Sequence, residues 1–191
     1  MRNSLASLYS YYGMQAFRAE RLPQALSLFD TAEKNWQNAD TVGQKGVCLL
    51  LLGDVDNGLA MISRARAMRK GEGAPFEDFY VGLHRFTRGE THMAVPLLQA
   101  SSADEIYRWS VIKIFAVMEL DENRVADVAK QMKPFMQVQV TNTDQAYIMA
   151  SLKLAAGQKA EAQGLVDKFA TTNLPTQWQS RFEKLRKQLK N

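Results

Sequence analysis

A short turn signal returns five times along this sequence at nearly constant spacing: Glu20-Arg21-Leu22, Gly53-Asp54-Val55, Gly89-Glu90-Thr91, Asn123-Arg124-Val125 and Gly157-Gln158-Lys159. The leading residues are 33, 36, 34 and 34 positions apart. The longer interval contains Lys70-Gly71-Glu72-Gly73-Ala74-Pro75, which reads as an insertion. Four of the five leading residues are Gly or Asn, which enter the left-handed backbone region at least cost. A helix end needs such a residue before the chain reverses. A period of this length signals a repeated supersecondary unit.

Other columns repeat in step. Seven residues before each turn stand Gly13, Gly46, Gly82, Ala116 and Ala150, all small. Three before stand Phe17, Leu50, Phe86, Leu120 and Leu154, all apolar. Five after come Ala25, Gly58, Ala94, Val128 and Ala162; nine after come Phe29, Ile62, Leu98, Met132 and Val166. Offsets of −7 and −3 share one helix face, as do +5 and +9. The pattern predicts two helices of about 13 residues packed antiparallel, with small residues admitting the backbones and large ones filling the gaps. One such pair cannot cover its own apolar faces, so pairs stack. No strand is expected.

The 34-residue period and the small–turn–small–large–small layout resemble the tetratricopeptide repeat. The stretches Gly13…Ala25…Phe29…Ala32, Gly46…Gly53-Asp54…Gly58…Ile62…Ala65 and Gly157…Ala162 carry the resemblance. It implies an all-α fold: a right-handed α-solenoid superhelix of about five helix pairs with a C-terminal capping helix. The repeats fall at about 6–38, 39–74, 75–108, 109–142 and 143–175, with the cap at 176–190, in one domain over 1–191. In the cap, Trp178, Phe182, Leu185 and Leu189 recur at helical spacing. The family's large aromatic four before the turn is absent; that column reads Ala16, Leu49, Arg85, Glu119 and Lys153, with the bulky residue one position later.

Candidate chemistry is thin. Cys48 is the single cysteine, which excludes an intrachain disulfide and any multi-cysteine metal site. It sits in an apolar run and reads as a core thiol. His84 and His92 alone do not make a zinc site. Ser110-Val111-Ile112-Lys113 matches a Ser-x-x-Lys pattern without its companion motifs. Asp54-Val55-Asp56-Asn57-Gly58 starts like a calcium loop, but Ala65 stands where its last carboxylate belongs. No metal, cofactor or enzymatic activity is expected. No segment approaches the roughly 18–20 apolar residues of a membrane span, and the N-terminal stretch lacks the apolar centre of a signal peptide, so a cytoplasmic location is expected.

The resemblance implies that the first helix of each pair lines a concave groove. Carried onto this sequence, the groove comprises Met14, Phe17, Val47, Leu50, Phe76, Phe79, Leu83, Phe86, Lys113, Val117, Leu120, Tyr147 and Leu154, flanked by Ser10, Gly43 and Ser151. This set is mostly apolar and keeps only Lys113 of the polar type that acidic-tail binders use. The expected role is therefore a protein-interaction scaffold, adaptor or chaperone that holds an apolar or amphipathic segment of a partner. The competing reading packs these side chains between helices. A second copy of the chain could also fill such a groove.

The net charge of +4 lies wholly in the last fifteen residues, where Arg181, Lys184, Arg186, Lys187 and Lys190 face Glu183 alone. The rest of the chain balances at nineteen charges of each sign. This basic helix is either the solvated face of a cap or a weak, salt-sensitive patch for nucleic acid or acidic membrane.

Overall fold

The computed structural model describes residues 2–136, 139–170 and 173–190. Among them are eleven α-helices and no strand: α1 (Arg2–Arg18), α2 (Leu22–Asn35), α3 (Ala39–Leu51), α4 (Val55–Arg69), α5 (Pro75–Thr87), α6 (Thr91–Ser101), α7 (Glu105–Asp121), α8 (Val125–Met132), α9 (Thr143–Ala155), α10 (Lys159–Phe169) and α11 (Thr176–Lys190). A single 3-10 turn, Lys133–Phe135, prolongs α8. The chain is organised as two compact units, Met1–Tyr107 and Arg108–Asn191.

The five turns are one motif built five times. Glu20, Gly53, Gly89, Asn123 and Gly157 all have positive φ, between 59° and 91°. In each, the N–H of the left-handed residue donates to the carbonyl three residues back. The next N–H donates to the carbonyl five residues before itself. Gly53 to Leu50 (3.2 Å) with Asp54 to Leu49 (3.0 Å), and Asn123 to Leu120 (3.0 Å) with Arg124 to Glu119 (2.8 Å), are two examples. These bonds satisfy carbonyls that the helix end would leave open, and the chain reverses at once.

The small and large columns meet as the spacing predicts. A Cβ placed on Gly13 would lie 2.5 Å from the Phe29 ring. On Gly46 it would lie 2.8 Å from Ile62 Cγ1, and on Gly82 2.8 Å from Leu98 Cγ. In these three hairpins the small residue of the first helix is thus the floor on which the large residue of the second helix rests. Phe29, Ile62, Leu98, Met132 and Val166 are all buried.

In the first unit, α3 packs on α1 and α2, and α5 on α3. Ion pairs reinforce these joints. Lys45 bonds Asp30 (2.6 Å) and Glu33 (3.0 Å) of the preceding pair. Arg69, at the end of α4, bonds the buried Glu77 of α5 (2.7 Å) and Asp40 of α3 (2.9 Å). Gly43 makes room for that carboxylate, since a Cβ there would fall 1.7 Å from Glu77 Oε1. In the second unit, α9 pairs with α10, and α11 packs on both through Phe182 and Leu185. Asn38 and Asn142 cap α3 and α9, accepting from Thr41 N and Gln145 N.

Candidate functional site

The predicted groove residues divide between core and surface. Phe17, Val47 and Leu50 belong to the interior cluster that also holds Ala16, Ala25, Phe29, Cys48, Ile62 and Val81. Phe79 and Phe86 are buried as well. Phe76 packs against this core, in a ring cluster with Phe17 (5.5 Å) and Tyr80 (5.1 Å), and Phe79 stacks on Tyr107 at 4.8 Å. Polar replacement of Phe79 and Phe86 therefore opens the core of the first unit. In the second unit Lys113, Val117 and Leu120 are buried, as is Tyr147. Met14, Leu83 and Leu154 remain half-exposed.

Among the described residues, a cleft runs along first helices in each unit. The first-unit cleft, of about 490 Å³, lies between α1 and α3. Ser7, Ser10, Tyr11, Met14, Gln15 and Arg18 supply one wall; Asn38, Asp40, Thr41 and Gln44 supply the other. Ser10 Oγ donates to Gln44 Oε1 at 2.9 Å across it. Of the predicted groove only Met14 and its neighbour Ser10 line it. The other lining residues lie outside that predicted set, although Ser7, Ser10, Tyr11, Met14, Gln15 and Arg18 recur at helical spacing. Most of its lining residues are polar, with one charge of each sign at Arg18 and Asp40.

The second-unit cleft, of about 280 Å³, gathers more of the predicted residues. Leu120 of α7, Tyr147, Ser151 and Leu154 of α9, and Leu185 of α11 form it with Val125 and Ala155. Asn123, Lys184 and Gln188 complete the rim. Lys184 is its one charged group. The Tyr147 ring stands edge-on to Phe182 (5.9 Å) and Trp178 (6.0 Å), fixed from behind. Its hydroxyl lies 3.4 Å from Asp121 Oδ1, and burial, with the Asp121 charge second, pushes its pKa up to about 12. Tyr147 is therefore a neutral phenol at physiological pH.

The basic helix is partly spoken for. Arg181 grips Asp121 with Nε (3.0 Å) and Nη2 (2.6 Å) and lies over the Trp178 ring. Arg186 donates to the Ala170 carbonyl at 3.0 Å. Lys184, Lys187 and Lys190 are the exposed members. Lys113 is buried and its Nζ is turned to Asp144 Oδ2 at 2.6 Å. Burial raises the Cys48 thiol to about 12. His84 is held below its ordinary value by burial, then by Arg88 and Arg85. Among the described residues no cluster of three or more His, Cys, Asp or Glu could hold a metal, and no helix is long and apolar enough to cross a membrane.

By sequence the chain matches no family model and no curated protein. By structure it is similar to PilF of Pseudomonas aeruginosa, with a TM-score of 0.64 and 16% identity over 99% of this chain and 92% of that one. It is also similar to a point mutant of MamA, with a TM-score of 0.56 and 17% identity over 94% of this chain and 96% of that one. Both are tetratricopeptide-repeat proteins, and this chain has their helical-repeat fold.

Proposed function

We propose that this protein is a non-enzymatic scaffold whose second-unit cleft holds an amphipathic segment of a partner protein. One observation carries the reading. Leu120, Leu154 and Leu185 converge beside the rigid Tyr147 ring around an open cleft of about 280 Å³, with Lys184 as its single charge. A cleft of this size takes a bulky apolar side chain, and a cation on its rim favours an acidic neighbour on the same segment. The helical-repeat fold supports a protein-binding role in general, since repeat arrays present extended binding surfaces.

The alternative, an adaptor for nucleic acid or acidic membrane, rests on Lys184, Lys187 and Lys190, because Arg181 and Arg186 already serve the fold. Three lysines supply only a weak, strongly salt-dependent attraction.

Selection from a displayed peptide library tests the reading. Wild-type protein is expected to enrich sequences that place a large apolar residue next to Asp or Glu. Ala155→Trp, which fills the cleft, should abolish enrichment, and Lys184→Glu should reverse the acidic preference. Enrichment that survives Ala155→Trp would refute the cleft. Duplex DNA or anionic vesicles captured in a Lys187-dependent manner, with no peptide enriched, would favour the alternative.

A further inference from the structure

One face of α1 is exposed although its counterparts in later repeats are buried or, at Lys45, Phe115 and Gln145, half-buried. Twelve residues before their turns stand Thr41, Glu77 and Val111, at 0%, 2% and 1% exposure; the matching residue of α1, Leu8, is 48% exposed. Eight before stand Val81 and Met149, both buried, and Lys45, whose ammonium pairs with α2 of the preceding hairpin. The matching Tyr12 is 52% exposed. In the first unit the agents of burial are plain: Glu77 lies against Gly43 and Arg69 of the preceding pair. This is the face on which one hairpin stacks against another.

On α1 it is apolar. Leu5, Leu8 and Tyr12 lie at i, i+3 and i+7, a continuous stripe about 10 Å long. It is distinct from the buried side of α1, which carries Ala6, Gly13 and Phe17, and from the cleft side, which carries Ser10, Met14 and Arg18. Leu5, Leu8 and Tyr12 leave an apolar strip of this helix open to solvent.

We infer that this stripe is the interface of a homodimer, packed against the same stripe of a second copy. Charge argues for self-pairing. From Asn3 to Phe17 the sequence has no charged residue, so two copies of α1 meet without like-charge repulsion. A two-fold axis beside Leu8 sets Leu5 of one copy against Tyr12 of the other, matching apolar to apolar, and leaves both Arg18 side chains beyond the contact. A head-to-tail contact of α1 with α11 instead sets the stripe against a helix whose exposed positions include Lys184, Lys187 and Lys190. The stripe is short, so the dimer is expected to be weak and concentration-dependent.

Sedimentation velocity over about a hundredfold range of concentration tests this. The expected result is a mass that climbs from 21.5 kDa towards twice that value. Leu8→Glu with Tyr12→Glu should stay monomeric throughout with an unchanged helical circular-dichroism spectrum. Should that variant fail to fold, Leu8→Cys reads the geometry directly. A residue beside a two-fold axis faces itself, so mild oxidation should give a disulfide-linked dimer, while Cys48 is buried and silent. Ile106→Cys, more exposed than Leu8 but off the stripe, should not cross-link. A wild-type protein that is monomeric throughout overturns the proposal, as does association indifferent to Leu8→Glu or cross-linking that is equal at Leu8 and Ile106. Peptide capture by the second-unit cleft is read separately, and neither result decides the other.

Discussion

Arg85 donates through Nη1 to Glu90 Oε2 across the turn between α5 and α6, closing the reversal with an ion pair. The next turn holds the same two positions with the signs exchanged, Glu119 against Arg124 at 4.0 Å. Turns of this type usually bring two apolar side chains together at that point. Here hydrogen bonds from Arg85 and Arg88 hold the Glu90 carboxyl below its ordinary value. A carboxylate whose folded value is depressed stabilises the fold above its unfolded value, near pH 4.3, and loses that contribution as pH falls through the folded value. Urea midpoints measured from neutral pH downward should therefore fall in acid, and Arg85→Ala should flatten that fall. An acid limb of equal depth in the variant would remove the pair from the argument.

The contact between Gly46 and Ile62 predicts a contrast among glycines. A methyl on Gly46 would meet Ile62 Cγ1 at 2.8 Å and the Gly58 carbonyl oxygen at 2.9 Å, the second being backbone that cannot step aside. Gly46→Ala should cost about 1–3 kcal/mol by overpacking. Gly164 lies inside α10 with nothing within 4 Å of its missing Cβ. Gly164→Ala should stabilise by about 0.5–1 kcal/mol through helix propensity. Thermal and urea unfolding of the two variants checks the opposite signs.

The hairpins were readable because their signals are local. A left-handed residue ends a helix wherever it stands, and a glycine seven before it can only matter if something large arrives nine after it. The division of the groove residues was not readable in this way. Phe17, Leu50 and Phe86 recur three before the turn, and apolar recurrence alone does not tell a core position from a groove position. That depends on how far each first helix is rotated about its axis, which the packing of its neighbours sets. The charged column one place earlier, Arg85, Glu119 and Lys153, was the usable clue. Those residues pair with Glu90, Arg124 and Glu161 at the surface, which leaves the adjacent Phe86 and Leu120 to the interior, while Leu154 stays half-exposed at the cleft.

Lys113 and Asp144 supply a test of how buried charge is tolerated here. The ammonium is almost wholly covered, 2.6 Å from the carboxylate and 5.9 Å from the Trp109 ring centroid. Removing the acid strands a cation, whereas removing the cation leaves a carboxylate with some access to water. Asp144→Asn should cost about 3 kcal/mol, and Lys113→Met should cost clearly less. Urea denaturation followed by circular dichroism ranks them. The reverse order would show that Lys113 reaches solvent when Asp144 lets it go.

Cys48 predicts the behaviour of the native chain towards thiol reagents. It is fully buried between Val47 and Leu49, and desolvation raises its thiol to about 12. The thiolate is the reactive form, so at pH 8 a folded molecule offers neither ionisation nor access. Labelling with an aromatic disulfide reagent should therefore track unfolding, rising only through the denaturant transition. Sign follows from the same shift. Above about pH 8.5 the unfolded chain loses a proton that the folded chain keeps, so stability falls with further rise in pH. Cys48→Ala should reduce that alkaline loss at the expense of a small cavity. Stoichiometric labelling of the native protein at pH 8 would place the thiol near a path to water and would also void the silent-cysteine premise of the Leu8→Cys experiment.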